Sequence, residues 1–85
     1  MVIYKYEVKV SDENNIIDLP VSYKVVHVGM HDGRVYMWIA HDLNEETKPC
    51  NFRVVATGQE FPLDKTYIGT AQSTNNYWVW HVFLW

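Results

Sequence analysis

The sequence predicts an all-β fold, a small antiparallel sandwich or partly closed barrel of six to seven strands. Apolar and polar residues alternate with a two-residue period in several segments, as they do in half-buried strands. Turn-forming residues separate these segments at short intervals, and no segment has the periodicity of an amphipathic helix. A chain of this length is long enough to build only one hydrophobic core, so we expect residues 1–85 to form a single domain.

The most apolar segment is 77–85, which is rich in β-branched and aromatic residues and is therefore predicted to be a strand. Its two faces carry different residues but neither face is polar. We expect this strand to lie centrally in a sheet, with the core on one side and a second cover on the other. One face holds Tyr77, Val79, His81, Phe83 and Trp85, and the other holds Trp78, Trp80, Val82 and Leu84.

The chain begins with a predicted edge-type strand, residues 3–10, in which charged residues alternate with apolar ones. Lys5, Glu7 and Lys9 are expected on one face and Tyr4, Tyr6, Val8 and Val10 on the other. A polar turn follows, and then a short second strand, 16–19, which Pro20 ends.

Residues 21–30 and 34–42 are predicted to form a hairpin around Asp32-Gly33, a dipeptide typical of two-residue turns. The resulting register pairs Val28 with Met37, Met30 with Val35, Val26 with Ile39 and Lys24 with His41. The pairs Val28–Met37, Val26–Ile39 and Met30–Val35 form the expected core face of the hairpin. The opposite face is largely apolar but has polar groups at the ends of some side chains, which indicates a binding site or an interface. It would hold Tyr23, Val25, His27, Gly29, Tyr36, Trp38, Ala40 and Asp42.

The second half of the chain is predicted to contain a polar loop at 43–49, strands at 51–57 and 67–73, and a loop at 58–65 between those strands. Thr74, Asn75 and Asn76 form the last predicted turn, since asparagine tolerates left-handed φ. If Asn75 and Asn76 occupy its two central positions, His81 lies opposite Thr70.

Composition excludes some functions. The formal charge of −3 and the scattered basic residues argue against nucleic-acid binding, which needs clustered Lys and Arg. The amino terminus is charged where a signal peptide is apolar, and no run is long enough to span a membrane. The single cysteine, Cys50, has no internal disulfide partner, which suits a reducing compartment.

The four histidines do not predict a metal site or another cofactor. His27 and His41 are expected on opposite sides of the sheet, and the glycines form no phosphate-binding loop. His81 has two interpretations: a buried imidazole with its nitrogens hydrogen-bonded, or a hydrogen-bonding group at the floor of a pocket. A catalytic role for Cys50 would need a histidine brought near by the fold.

Several segments form a pattern in their order and spacing: Ile3 to Tyr6, Leu19-Pro20, Gly33 with Met37 to Ala40, Phe52 to Gly58 with Pro62, Tyr67 to Thr70, and Val79 to Phe83. In these segments the chain resembles a family of short, uncharacterised phage and prophage proteins over nearly its whole length. The resemblance implies a phage accessory protein in the bacterial host cytoplasm, and it implies no activity. Where that family has a glycine shortly after Leu19-Pro20, this chain has Val21-Ser22.

We therefore expect a small binding or inhibitory protein that acts by occupancy, without catalysis, for example by sequestering or blocking a host defence component. Its partner would be another copy of the chain, a host protein or a small molecule. The alternatives are a small hydrolase or nucleotide-modifying enzyme that uses His81 beside Thr57, Thr70 or Cys50 with Arg53 holding an anion, and a virion or assembly component. The predicted binding surface comprises Tyr23, His27, Tyr36, Trp38, Arg53, Thr57, Thr70, Trp78, Trp80 and His81.

Overall fold

The computed structural model of the protein describes residues 1–75 and 77–85, and these residues form seven strands. None of them belongs to a helix long and apolar enough to cross a membrane. The all-β prediction is confirmed. The strands are β1 (Val2–Val8), β2 (Asn15–Pro20), β3 (Lys24–His31), β4 (Arg34–His41), β5 (Thr47–Ala56), β6 (Thr66–Gln72) and β7 (Val79–Leu84).

The strands form two antiparallel sheets, one with the order β1-β4-β3 and the other with the order β2-β5-β7-β6. Within the described part of the chain neither sheet closes on itself, so the fold is a sandwich and not a barrel. The sheets approach closely where β3 crosses β6. A Cβ atom at Gly69 would lie only 2.6 Å from Cγ2 of Val28, so this approach requires glycine.

The core lies between the sheets and is built from alternate residues of both. The pairs that were predicted to form the core face of the hairpin, Val28 with Met37 and Met30 with Val35, are present. The buried cluster comprises Val8, Leu19, Val28, Val35, Met37, Ile39, Phe52, Val54, Ala71 and Val82.

Strand β7 lies between β5 and β6, which confirms the predicted central position of the terminal segment. On its inner face Val82 is fully buried and Trp80 packs against the core. On its outer face Phe83 is also buried, because the rings of Phe61 and Tyr67 lie 4.5 and 5.7 Å from it between centroids. Side chains of the same chain therefore cover part of the outer face of β7, the face for which a second cover was expected.

The hairpin turn has the predicted geometry, with positive φ at both Asp32 (53°) and Gly33 (77°). The register agrees with the prediction from the turn as far as the pair His27–Trp38. A β-bulge then places one extra residue, Val26, in β3. Beyond it Val25 pairs with Ile39 and Lys24 pairs with Ala40, so the predicted pairs Val26–Ile39 and Lys24–His41 are wrong.

The bulge also exchanges the two faces of β3 upstream of it, because inserting one residue reverses the alternation of side chains. Val26 is exposed, whereas Val25 and Tyr23 pack against the core. The ring of Tyr23 meets that of Phe52 edge-on at 6.3 Å. The prediction that Tyr23 and Val25 lie on the outer face is therefore wrong.

The largest difference from the predicted strand bounds is at the start of β5. Strand β5 begins at Thr47 inside the predicted loop 43–49, because β2 extends along it and pairs Asp18 with Pro49. Strand β7 pairs with β5 only from Phe52 onward, so Pro49 lies where β5 has one neighbour. The predicted pairing of Thr70 with His81 is confirmed. The predicted turn includes Asn76, which lies outside the described residues.

Replacement of Gly69 by alanine is expected to lower the free energy of unfolding by about 1–3 kcal/mol, because the added methyl group would overlap Val28 at its branch point. Gly29→Ala is the matched control. There the methyl group meets only the tip of the His27 ring, 2.9 Å away, and the ring can rotate. Urea unfolding of both variants checks this difference. Equal losses would contradict the proposed close approach of β3 and β6.

Candidate functional site

The predicted binding residues separate into different places. The first is an outer aromatic face on β3 and β4, defined by His27, Tyr36 and Trp38. The rings of His27 and Trp38 lie 5.1 Å apart and those of Tyr36 and Trp38 lie 6.3 Å apart. Nζ of Lys5 is 4.2 Å from the Tyr36 ring centroid and 5.7 Å from that of Trp38. A cation of the chain itself therefore already covers this face.

The second place is a hydroxyl–imidazole chain, defined by Tyr67, Thr70, His81 and Thr57. Nδ1 of His81 is 3.0 Å from Oγ1 of Thr70, and its Nε2 is 2.8 Å from Oγ1 of Thr57. The Tyr67 hydroxyl bonds to Thr70 in turn. A neutral imidazole donates through one nitrogen and accepts through the other, so the chain of bonds can run in either direction. Both nitrogens of His81 therefore have a hydrogen-bonding partner, while the ring itself is half-buried.

His81 borders a cavity of about 260 Å³, which lies against the outer face of β5 and β7. A hydroxyl within hydrogen-bonding distance of an imidazole is the arrangement of a nucleophile and its base. Here a threonine hydroxyl, and not a carboxylate, contacts the other ring nitrogen. The cavity is lined by Val55, Ala56, Thr57, Gly58, Gln59, Phe61, His81 and Phe83.

Two other residues of the predicted enzymatic set lie elsewhere. Cys50 packs against the core on the inner face of β5, whereas His81 pairs with Val55, whose side chain lies on the opposite face. Burial raises the pKa of the Cys50 thiol, and the Asp18 carboxylate adds to the effect, so the reactive thiolate is disfavoured. Arg53 is engaged with its own neighbours: its guanidinium lies 4.2 Å from the Trp85 centroid and its Nε donates to Asn14 Oδ1 at 3.0 Å.

The third place is a tryptophan groove at one end of the sandwich, of about 430 Å³. The indoles of Trp78 and Trp80 form one wall, with planes 4° apart and centroids 6.0 Å apart. Trp78 is 56% exposed, so a large apolar side chain borders the groove in contact with water. The groove is lined by Met30, Gly33, Ser73, Trp78 and Trp80. A neighbouring lobe of about 330 Å³ shares all of these except Trp80 and adds Asp32, Gln72, Thr74 and Asn75.

Hydrogen bonds in the β6–β7 connection hold Trp78 in place. The Ser73 N–H donates to the Trp78 carbonyl at 3.0 Å, and Ser73 Oγ accepts from the backbone N–H groups of Tyr77 and Trp78, both at 3.1 Å. Asn75 Oδ1 also accepts from the Tyr77 N–H. The turn at Asp32-Gly33 supplies the opposite wall from the other sheet. The groove therefore depends on both sheets.

Sequence reasoning identified Trp78 and Trp80 but missed Met30, Gly33 and Ser73. The signal for Ser73 was available, because the register that pairs Thr70 with His81 also places Ser73 opposite Trp78. Met30 and Gly33 come from the other sheet, and no local pattern indicates which residues of two sheets meet.

The histidines do not converge. His41 is buried on the inner side of its sheet, opposite to His27, as predicted. Its Nδ1–H donates to the Asp42 carbonyl at 3.0 Å, and its Nε2 lies within hydrogen-bonding distance of the Tyr6 hydroxyl, at 2.8 Å. In residues 1–75 and 77–85 there is no group of three His, Cys, Asp or Glu side chains placed to hold a metal ion.

Replacement of Thr70 by valine is expected to reduce the free energy of unfolding by about 1–3 kcal/mol, because it leaves the Tyr67 hydroxyl and Nδ1 of His81 without their hydrogen-bonding partner. Thr66→Val on the same strand is the control, since Thr66 is exposed. Thermal unfolding of the two variants checks the expectation. A smaller loss for Thr70→Val than for Thr66→Val would show that the hydroxyl–imidazole chain does not stabilise the fold.

Stability is expected to fall at alkaline pH. Burial raises the pKa of the Cys50 thiol and of the Tyr6 and Tyr23 hydroxyls, so the folded state retains these protons when the unfolded state loses them. Unfolding then becomes easier as the pH rises above about 8.5, the ordinary thiol pKa. In Cys50→Ala the decline should begin only near pH ~10, with the tyrosines. Urea midpoints between pH 7 and 11 test this; an unchanged onset in the variant would contradict it.

Comparison with known proteins gives one family. A family model described as a domain of unknown function, DUF7352, matches residues 1–85, which is the whole chain. No curated protein and no solved structure matches the chain. The description of the family names neither an activity nor a source organism. Because the match covers the full length, the chain belongs to the DUF7352 family.

Proposed function

We propose that the protein is a small binding module that acts by occupying a partner, with the tryptophan groove as its contact surface. The main support for this proposal is the position of Trp78, which is 56% exposed and stacked on Trp80 beside the groove of about 430 Å³. Exposed aromatic residues beside a pocket are the usual anchors of recognition surfaces. A folded partner that filled this cleft would remove both indoles from water.

The state of His81 supports binding over catalysis. Its two ring nitrogens bond to Thr70 of β6 and to Thr57 after β5, so the imidazole joins segments of the sheet. Cys50 and Arg53, which an enzymatic site would have used, contact other parts of the chain. These contacts support the view that the polar residues near β7 maintain the fold.

The biological setting in this proposal comes from the sequence resemblance to phage and prophage proteins. On that basis the protein is a phage-encoded accessory protein of the bacterial host cytoplasm, and its partner is a host protein such as a component of a defence system. Self-association belongs to the same proposal, because a two-fold interface uses one apolar patch twice.

A hydrolase or nucleotide-modifying enzyme is the second candidate, favoured by the 2.8 Å contact between Thr57 Oγ1 and His81 Nε2 beside a cavity of about 260 Å³. In that case Thr57 is the nucleophile and His81 its base. Thr57→Val would abolish turnover of an ester or phosphoester substrate. Under the binding proposal the same variant retains its partner and loses only about 1 kcal/mol of stability.

Trp78→Ala is expected to weaken binding of a co-purified partner, or of a second copy, by about 2 kcal/mol, roughly thirtyfold. Its melting temperature should change little, because Trp78 is largely exposed. Light scattering over a concentration series measures self-association, and co-purification from host cells followed by calorimetry measures a partner.

Leu63→Ala is the matched control, because Leu63 is 95% exposed and does not line the groove. It should leave both measurements unchanged. Binding that is lost equally in both variants, or a strictly monomeric protein that retains no partner, would contradict the role of the groove.

A further inference from the structure

The chain covers two of its tryptophans with its own basic side chains. The guanidinium of Arg53 and Nζ of Lys65 lie 4.2 and 5.1 Å from the Trp85 centroid. Nζ of Lys5 lies 5.7 Å from Trp38. A cation over an indole face is attracted by the ring quadrupole, and tryptophan is the best partner for it. The two indoles of the groove are arranged differently.

Within residues 1–75 and 77–85, no Lys or Arg side chain lies over the ring of Trp78 or Trp80. The described lining of the groove and its lobe contains one charged side chain, and that is the carboxylate of Asp32. Arg34, next to the groove in sequence, lies 3.7 Å from Glu7 instead. The described lining therefore combines the exposed indole of Trp78 with one negatively charged side chain and no positively charged one.

His31, the neighbour of Asp32, makes its hydrogen bond elsewhere. Its Nδ1 is 2.7 Å from Nζ of Lys5 and accepts from this ammonium group. The other nitrogen is 3.6 Å from the Asp32 carboxylate, which is beyond hydrogen-bonding distance. The Asp32 side chain is 87% exposed and remains available to a ligand.

We propose that the groove binds an arginine side chain of a partner protein, its guanidinium lying on the Trp78–Trp80 wall and paired with Asp32. This inference rests on the proposed binding function and specifies the partner's chemistry. A guanidinium can stack on an indole and presents a fork that matches a carboxylate, and the guanidinium of Arg53 already lies over the ring of Trp85. The alkyl part of the side chain would contact Met30, on the apolar side of the groove.

The test compares two probes of the same shape, N-acetyl-arginine amide and the uncharged N-acetyl-citrulline amide. Each is titrated into ¹⁵N-labelled protein while the indole N–H resonances of the four tryptophans are followed. The arginine probe should shift the resonances of Trp78 and Trp80 and leave those of Trp38 and Trp85 in place. The citrulline probe should bind at least about fivefold more weakly, the loss expected for a cation–π contact.

Asp32→Asn should weaken binding of the arginine probe severalfold, because it removes the carboxylate partner of the guanidinium, and should leave binding of the citrulline probe unchanged. Asp64→Asn is the control, because Asp64 is an exposed carboxylate outside the groove, and it should change nothing. Equal binding of the two probes, shifts confined to Trp38 or Trp85, or an unaltered affinity in Asp32→Asn would each overturn the inference.

The outcome for the partner separates this inference from the proposed function. A partner that needs Trp78 but binds equally well when its arginines are replaced by lysine or glutamine overturns the arginine inference and leaves the binding module intact. A partner that binds the Trp78→Ala variant as tightly as the unaltered protein overturns both the arginine inference and the proposed function of the groove. Binding of the lysine form alone would show that a different cation occupies the groove.

Discussion

The burial of both faces of β7 is the constraint on which the rest of the structure depends. Val82 on one face and Phe83 on the other are both excluded from water, so β7 requires a neighbouring strand on each side and a cover above and below. The register between β6 and β7 brings Thr70 opposite His81 and Ser73 opposite Trp78. The hydroxyl–imidazole chain and one wall of the tryptophan groove are thus consequences of how this strand is held.

Much of the fold could be predicted from local patterns, because alternation and turn residues act over a few positions. Asp32-Gly33 predicted the hairpin, and the apolar composition of β7 predicted its central position. The bulge at Val26 could not be predicted, because both registers place a valine on the inner face. Packing between sheets selects the one that buries Tyr23 against Phe52, and this choice depends on residues distant in sequence.

The candidate site was predicted only in part for the same reason. Trp78 and Trp80 stood out as exposed aromatic candidates, and Thr70 as the partner of His81, because each depends on one strand pairing. The groove also needs Met30 and Gly33 from the other sheet. Met30 and Gly33 reach the groove because β3 packs closely against β6. This close packing is possible because Gly69 has no side chain where it meets Val28. The presence of a glycine in a strand does not by itself indicate which other strand packs against it.

The irregularities in β3 and β6, two of the four edge strands in the described part of the chain, have a further consequence. Strand β3 carries its bulge at Val26, and β6 has a register shift between Tyr67 and Gly69. An edge with such an interruption does not offer a straight row of amide and carbonyl groups to an incoming chain. Filament growth by successive strand addition is therefore hindered on this side of the sandwich, although residues 66–72 of β6 contain neither a charge nor a proline to prevent it.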